Sequence, residues 1–295
     1  MCNGRVGIPT FLVVCYSVII TALVFALVAE DPRLSDTIPS STQLSDLHID
    51  LSTAGETKWT GTDIPYWGVL AMALGVMLLL MIISWCVWID VNTKFTCCEY
   101  LGALIYFFIM EFAVMGTYLA AVQLTTDTIK YTTTYARPYF LNSCFGSAIP
   151  LDISTLTIAD CTTTDDIVWD WASGMPSGHT SMSCSIAFMV LLTMRHLLFS
   201  KYGKSLTNDT AKKVAGGLYA VIFIGAVTAA IYISVTRVTY NYHTTEQVLS
   251  GLGISAALGL GIFYMLQVWY SHQTLAAFSN YTGNGSGFFE VPESV

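Results

Sequence analysis

The chain has 295 residues, 54% of them hydrophobic and only 11% charged, with a mean hydropathy of +0.60. A soluble domain carries roughly 25% charged residues, so the deficit points to a bilayer as solvent. The net charge of −8 argues against a nucleic-acid partner, which calls for a basic surface.

Six stretches approach the roughly 20 apolar residues that a membrane-crossing helix needs. They are Ile8–Ala29, Pro65–Ile89, Cys97–Leu124, Thr180–Phe199, Val214–Val235 and Gln247–Tyr270. The expected fold is therefore all-α, a polytopic membrane protein of six transmembrane helices in one domain over residues 1–295. The first run is longer than the roughly 7–15 residues of a signal-peptide core, and Leu27 spoils a small-x-small cleavage site. It is read as a span. The Met and aromatic residues of the second run suit ordinary lipid or bundle contact. The third run carries Glu111. An acid within a span raises a functional question by default, although a bundle-facing carboxyl, protonated or paired, is the plainer explanation.

Beyond the third run stands a first polar block, Asp127 to Pro138. Lys130 and Arg137 are seven residues apart, two helical turns, so a helix continuing outward would put both cations on one face. Pro138 disfavours helix at Arg137 and would end it there. Two cations snorkelling at a helix end account for the same spacing. A second block, Gly174-Met175-Pro176-Ser177-Gly178-His179-Thr180-Ser181, opens the fourth run. Small residues admit a ligand close to the backbone, and the amides of a helix start favour phosphate. An ordinary capped helix start has the same composition.

The loop between the fourth and fifth runs holds Arg195, Lys201, Lys204, Lys212 and Lys213, five of the chain's 12 basic residues. Basic residues gather on the cytoplasmic side, so both termini are expected in the cytoplasm, with residues 271–295 as a cytoplasmic tail. Residues 30–64, 125–179 and 236–246 then face outward. Cys144 and Cys161 are the cysteine pair of an outer loop, and the oxidising exterior predicts a disulfide between them. The sequons at Asn208, Asn280 and Asn284 fall on the cytoplasmic side and are expected to be unmodified. A third block, Thr236 to Gln247, joins the fifth and sixth runs. His243 and Glu246 are three residues apart, on one face of an early-starting helix. A carboxylate there would orient the imidazole as the acid of a catalytic triad does. Tyr240 and Tyr242 also fit an interfacial belt.

Loop charge, which uses none of these blocks, puts all three on the same side. Three cations, two histidines and a Gly-Ser turn at one membrane face make a site for an oxyanion. In this order, Lys-x6-Arg-Pro, Pro-Ser-Gly-His and Thr-Arg-x5-His resemble the signature of the type 2 phosphatidic acid phosphatase superfamily, and within it the lipid phosphate phosphatases. The resemblance covers about residues 65–270. It implies a metal-independent phosphatase without cofactor, acting on phosphatidate-like lipids at an extracytoplasmic site in the plasma membrane or the ER or Golgi. His243 would be the nucleophile and form a phosphohistidine. His179 would be general acid and base, Arg237 a cation at the reacting phosphate, and Glu246 the partner of His243. Lys130, Arg137, Ser177 and Gly178 would cradle phosphate. The implied partners are a lipid phosphate and the bilayer, with homo-oligomerisation left open.

The sequence also departs from that pattern. The family usually has Asp four residues after the last His, where Gln247 stands here. Dolichyl-pyrophosphate and glucose-6-phosphate phosphatases resemble this chain in carrying Gln at that place. Lipid phosphatases commonly show Gly-Arg-Leu-Arg-Pro-His where this chain has Thr134-Tyr135-Ala136-Arg137-Pro138-Tyr139. A related phosphohydrolase, a lipid phosphotransferase and a relative that has lost catalysis are the competing assignments.

Overall fold

The computed structural model describes residues 43–47, 49, 64–89, 97–133, 135–146, 148–150, 152–162, 173–199 and 209–265. The predicted span Ile8–Ala29, the basic residues Lys201 and Lys204, the three sequon asparagines and the tail lie outside the described residues. Among the described residues the regular elements are helical, and Gln43 and Thr157 form an isolated antiparallel bridge.

The principal helices are α1 (Tyr66–Ile89), α2 (Cys97–Thr133), the short α3 (Phe140–Phe145), α4 (Gly178–Phe199), α5 (Asp209–Thr239) and α6 (Thr245–Leu258). A π-helical turn, Gly259–Phe263, prolongs α6. Segments of α1, α2 and α5, namely Tyr66–Cys86, Phe107–Lys130 and Lys213–Thr239, are long and apolar enough to cross a membrane. That composition is compatible with a membrane protein.

α1 starts directly after Pro65, where a missing N–H costs no hydrogen bond, and the Pro65 carbonyl accepts from Gly68 N at 2.9 Å. α2 runs nine residues past its predicted end at Leu124. The hydroxyls of Thr128, Thr132 and Thr133 fold back onto carbonyls one turn earlier, at 2.7, 3.0 and 2.9 Å. A polar stretch thereby remains helical. The helix ends at Thr133, short of Arg137, so the two cations do not share a helix face as the sequence suggested. Instead the chain turns out of α2, and Gly174 N–H donates to the Tyr135 carbonyl.

α4 is the central helix and packs against α1, α2, α5 and α6. Its first half is rich in small polar residues, and Ser181, Ser183 and Ser185 are buried. Their hydroxyls return to carbonyls of the same helix, so these three buried donors are satisfied. Small side chains let helices approach closely. At Gly251 of α6 an added Cβ would lie 2.7 Å from the Ser177 carbonyl oxygen, so only glycine admits that contact. Val69, Met77, Leu80, Met115, Leu119 and Met189 form the fully buried core between the helices, while Trp67, Val221 and Ile224 of α1 and α5 face outward.

A second apolar cluster caps one end of the bundle. Leu44, Leu47, Tyr139, Phe140, Leu141, Phe145 and Ile158 bury one another above the helices and meet Tyr242. Cys144 and Cys161 are joined within this cap, as the sequence suggested.

Candidate active site

All three polar blocks converge at the capped end. Lys130 and Arg237 stand in the last turns of α2 and α5, where the helix dipole favours a cation. The starts of α4 and α6 point to the same end, and their free amides favour an anion.

His243 lies in the turn between α5 and α6. The Arg237 carbonyl accepts from Tyr242 N at 2.9 Å and from His243 N at 3.0 Å. Asn241 has φ +59° there, a left-handed conformation that Asn tolerates. Thr244 is the N-cap of α6, its hydroxyl accepting from Gln247 N at 3.3 Å. In such a capping box the third helical residue reaches back to the cap. Gln247 occupies that position, and its Oε1 stands 3.1 Å from His243 Nδ1 and 3.2 Å from Thr244 N. Glu246, the expected partner, is exposed. It sits one residue too early in the helix to reach back.

The carboxamide orientation follows from its neighbours. Gln247 Nε2 donates to the Ala136 carbonyl at 2.8 Å, and Thr244 N–H needs an acceptor. Oε1 therefore faces His243 and accepts, so Nδ1 carries the hydrogen and Nε2 holds the lone pair. An added Cβ on Gly174 would lie 2.6 Å from Gln247 Nε2, so a glycine is required beside that amide. The Gln247 carbonyl in turn accepts from Ser177 N at 2.9 Å. One residue thus ties the first, second and third blocks together.

His243 is 4% exposed. Burial, then the nearby Arg137 and Lys130 charges, hold its pKa well below the usual 6.5, against a smaller opposing effect of the Gln247 hydrogen bond. The imidazole is accordingly neutral at physiological pH.

Aromatic rings brace the two arginines. The Arg237 guanidinium, 2% exposed, lies 4.7 Å from the Tyr242 ring centre. Arg137 Nη1 donates to the Tyr139 hydroxyl at 3.0 Å. Tyr139 and Tyr242 meet edge to face at 6.2 Å. The sequence assigned Tyr242 to an interfacial belt, but it is buried against Arg237 because the cap covers it. Its place five residues after Arg237, in the turn back into α6, was the available signal. At the start of α4, a Cβ on Gly178 would lie 3.5 Å from Lys130 Nζ, so Lys130 reaches across the mouth of that helix. Ser177 is fully buried, and its hydroxyl accepts from Thr180 Oγ1 at 3.1 Å.

His179, in the first turn of α4, is half-buried. Its Nε2 is 3.1 Å from the Ile64 carbonyl oxygen, and its ring meets Tyr66 edge to face at 5.4 Å. It lies close enough to His243 to disfavour a proton there. Among the described residues no group of three His, Cys, Asp or Glu side chains is arranged to hold a metal. Together these groups offer an anion two cations, Lys130 and Arg137, near a neutral imidazole with one nitrogen unprotonated, and a third, Arg237, at the end of α5 in the turn that carries His243.

No curated protein and no solved structure matches the chain. The PAP2 superfamily sequence profile matches residues 111–271, which include all three blocks and more than half of the chain. That match supports a phosphatase-type function, and the chain belongs to the PAP2 superfamily.

Proposed function

We propose that the protein is a metal-independent lipid phosphate phosphatase that works through a phosphohistidine on His243. The observation that carries this reading is the Gln247 hydrogen bond, which leaves Nε2 of His243 unprotonated on a ring that lies near the Lys130 and Arg137 charges. A neutral imidazole is a competent nucleophile at neutral pH. Nε2 attacks phosphorus in line while the bond to the lipid oxygen breaks, and His179 gives that oxygen its proton. The three cations take up the charge on the equatorial oxygens. Gln247 Oε1 accepts from Nδ1–H throughout and steadies the cationic phosphohistidine. Water then attacks phosphorus, His179 takes its proton, the P–N bond breaks, and inorganic phosphate leaves with His243 neutral again. Ser177 and Gly178 line the cradle.

The basic loop supports a six-helix chain with cytoplasmic termini, and the disulfide in the cap supports an outward-facing or lumenal site. The membrane would be the plasma membrane or that of the ER or Golgi. A site at the end of an apolar bundle suits a substrate whose chains stay in the bilayer. Gln247 in place of Asp favours a second assignment, a pyrophosphate or sugar-phosphate hydrolase of the same superfamily.

The test is phosphate release by the detergent-solubilised protein from phosphatidate, lysophosphatidate, dolichyl pyrophosphate and glucose 6-phosphate, in EDTA, with His243→Ala as control. Release from the monophosphate lipids, undiminished by EDTA and lost in the variant, is expected. Preference for the other two would move the chain to the second assignment. Release in an added alcohol that yields a phosphorylated alcohol would mark a phosphotransferase. Absence of any release by folded protein would favour a relative without catalysis.

A further inference from the structure

His179 is held from outside the region that the superfamily profile covers. Its Nε2 faces the carbonyl oxygen of Ile64 at 3.1 Å, 115 residues away in sequence. A carbonyl only accepts, so Nε2 carries a hydrogen in both the neutral and the charged ring. The proton that comes and goes therefore sits on Nδ1.

Tyr66 holds the other side of the ring. It packs edge to face against the imidazole, and its Cε2 lies 3.7 Å from where a Gly178 Cβ would stand. Its own position is fixed by a directed chain. Gln123 Nε2 donates to Asp127 Oδ2 at 2.7 Å, which turns Oε1 towards Tyr66, and the Tyr66 hydroxyl donates to it. The head of α1 thus touches the imidazole through both a backbone carbonyl and an aromatic edge, and α2 anchors that head.

We infer that Ile64 and Tyr66 form a positioning element that fixes the tautomer of His179, so that this histidine exchanges its proton with the leaving oxygen and with water through Nδ1. The assignment of proton transfers rests on the proposed phosphatase reading; the tautomer does not. Tyr66 acts through the His179 ring and is a positioning residue. Loss of its ring frees the imidazole to turn, and misplacement of a catalytic group by about 1 Å costs about 10²-fold.

The experiment has two arms, on wild type, Tyr66→Phe and Tyr66→Leu. In the first, imidazole-nitrogen NMR of isotope-labelled histidine in micelles reads the tautomer of His179, assigned with His179→Gln. A single Nε2–H tautomer is expected in wild type and in Tyr66→Phe, and a mixture in Tyr66→Leu. An Nδ1–H tautomer in wild type, or an unchanged signal in Tyr66→Leu, overturns the inference even if the protein proves not to be a phosphatase. The second arm compares kcat/KM for a long-chain alkyl phosphate and for p-nitrophenyl phosphate, whose leaving group needs little protonation. Tyr66→Leu should lose about 10²-fold on the alkyl ester, at least tenfold more than on the aryl ester, and Tyr66→Phe should restore most of it. Equal losses on both esters would mean a merely structural role.

Discussion

The two histidines of the site are held in opposite ways. His243 is almost fully buried, and its partner is a side chain four residues on, itself pinned to Ala136 and Thr244. His179 is half-buried, and its partner is a backbone carbonyl from a distant helix start. Each arrangement fixes one ring nitrogen, but on opposite sides: Nδ1 is occupied in His243 and Nε2 in His179. The first pairs residues within one turn and one capping box, and the distant Ala136 carbonyl locks its orientation. The second exists only when α1 and α4 are docked. A nucleophile must present one lone pair in one direction, which rigid local bonding provides. A group that both gives and takes a proton needs access to the site's open side, which partial exposure allows.

Replacing the histidines one at a time sharpens that contrast most. His243→Ala should reduce phosphate release to the uncatalysed background and abolish acid-labile phosphoprotein. His179→Ala should lose about 10²–10⁴-fold, because both protonation of the leaving oxygen and activation of water are lost. Phosphoprotein in the first variant would place the nucleophile elsewhere. Next comes Arg237→Ala, expected to lower kcat by about 10²–10³-fold, the usual result of removing one preorganised donor to a developing oxyanion. A change confined to KM would instead assign Arg237 to ground-state binding.

The cap braces the His243 half, since Ala136 and Tyr242 are buried in it. The double variant Cys144→Ser/Cys161→Ser should lower unfolding stability by about 3 kcal/mol, measured by denaturant titration without reductant. Unchanged stability would show that the cap closes without its bridge. The smallest effect is on pH. Burial and the Arg137 and Lys130 charges depress the His243 pKa, so wild-type kcat/KM should not fall through protonation of this ring until well below pH 6.5. Gln247→Glu puts an opposite charge against Nδ1–H, which favours the charged ring and raises its pKa. The acid limb should move to higher pH. A limb that does not move would mean that it reports some other group.

Much of this was legible in the residues. Lys130, Arg137, His179, Arg237 and His243 could be named because cations and histidines are few in so apolar a chain and loop charge put these on one side, while Ser177 and Gly178 came with the Pro-Ser-Gly-His block. The pairing of Cys144 with Cys161 followed from the compartment. Glu246 was chosen over Gln247 because a carboxylate is the stronger partner for an imidazole. That choice treated His243 as helical, whereas it precedes the N-cap Thr244, and a capping box sends the third helical side chain back. Arg137 likewise was placed on the face of α2, but the helix ends at Thr133.

Composition and long apolar runs by themselves determined an α-helical chain suited to a bilayer, and motif order determined the superfamily. These are properties of local sequence: hydropathy needs about 20 residues, and a motif needs only a few. What only the tertiary structure decided is which nitrogen of each histidine is engaged, and by what. The Ala136 carbonyl lies 111 residues from Gln247, and the Ile64 carbonyl lies 115 residues from His179. Backbone acceptors of that kind have no side-chain identity to read, and they arrive only when α1, α2, α4 and α6 close on one another.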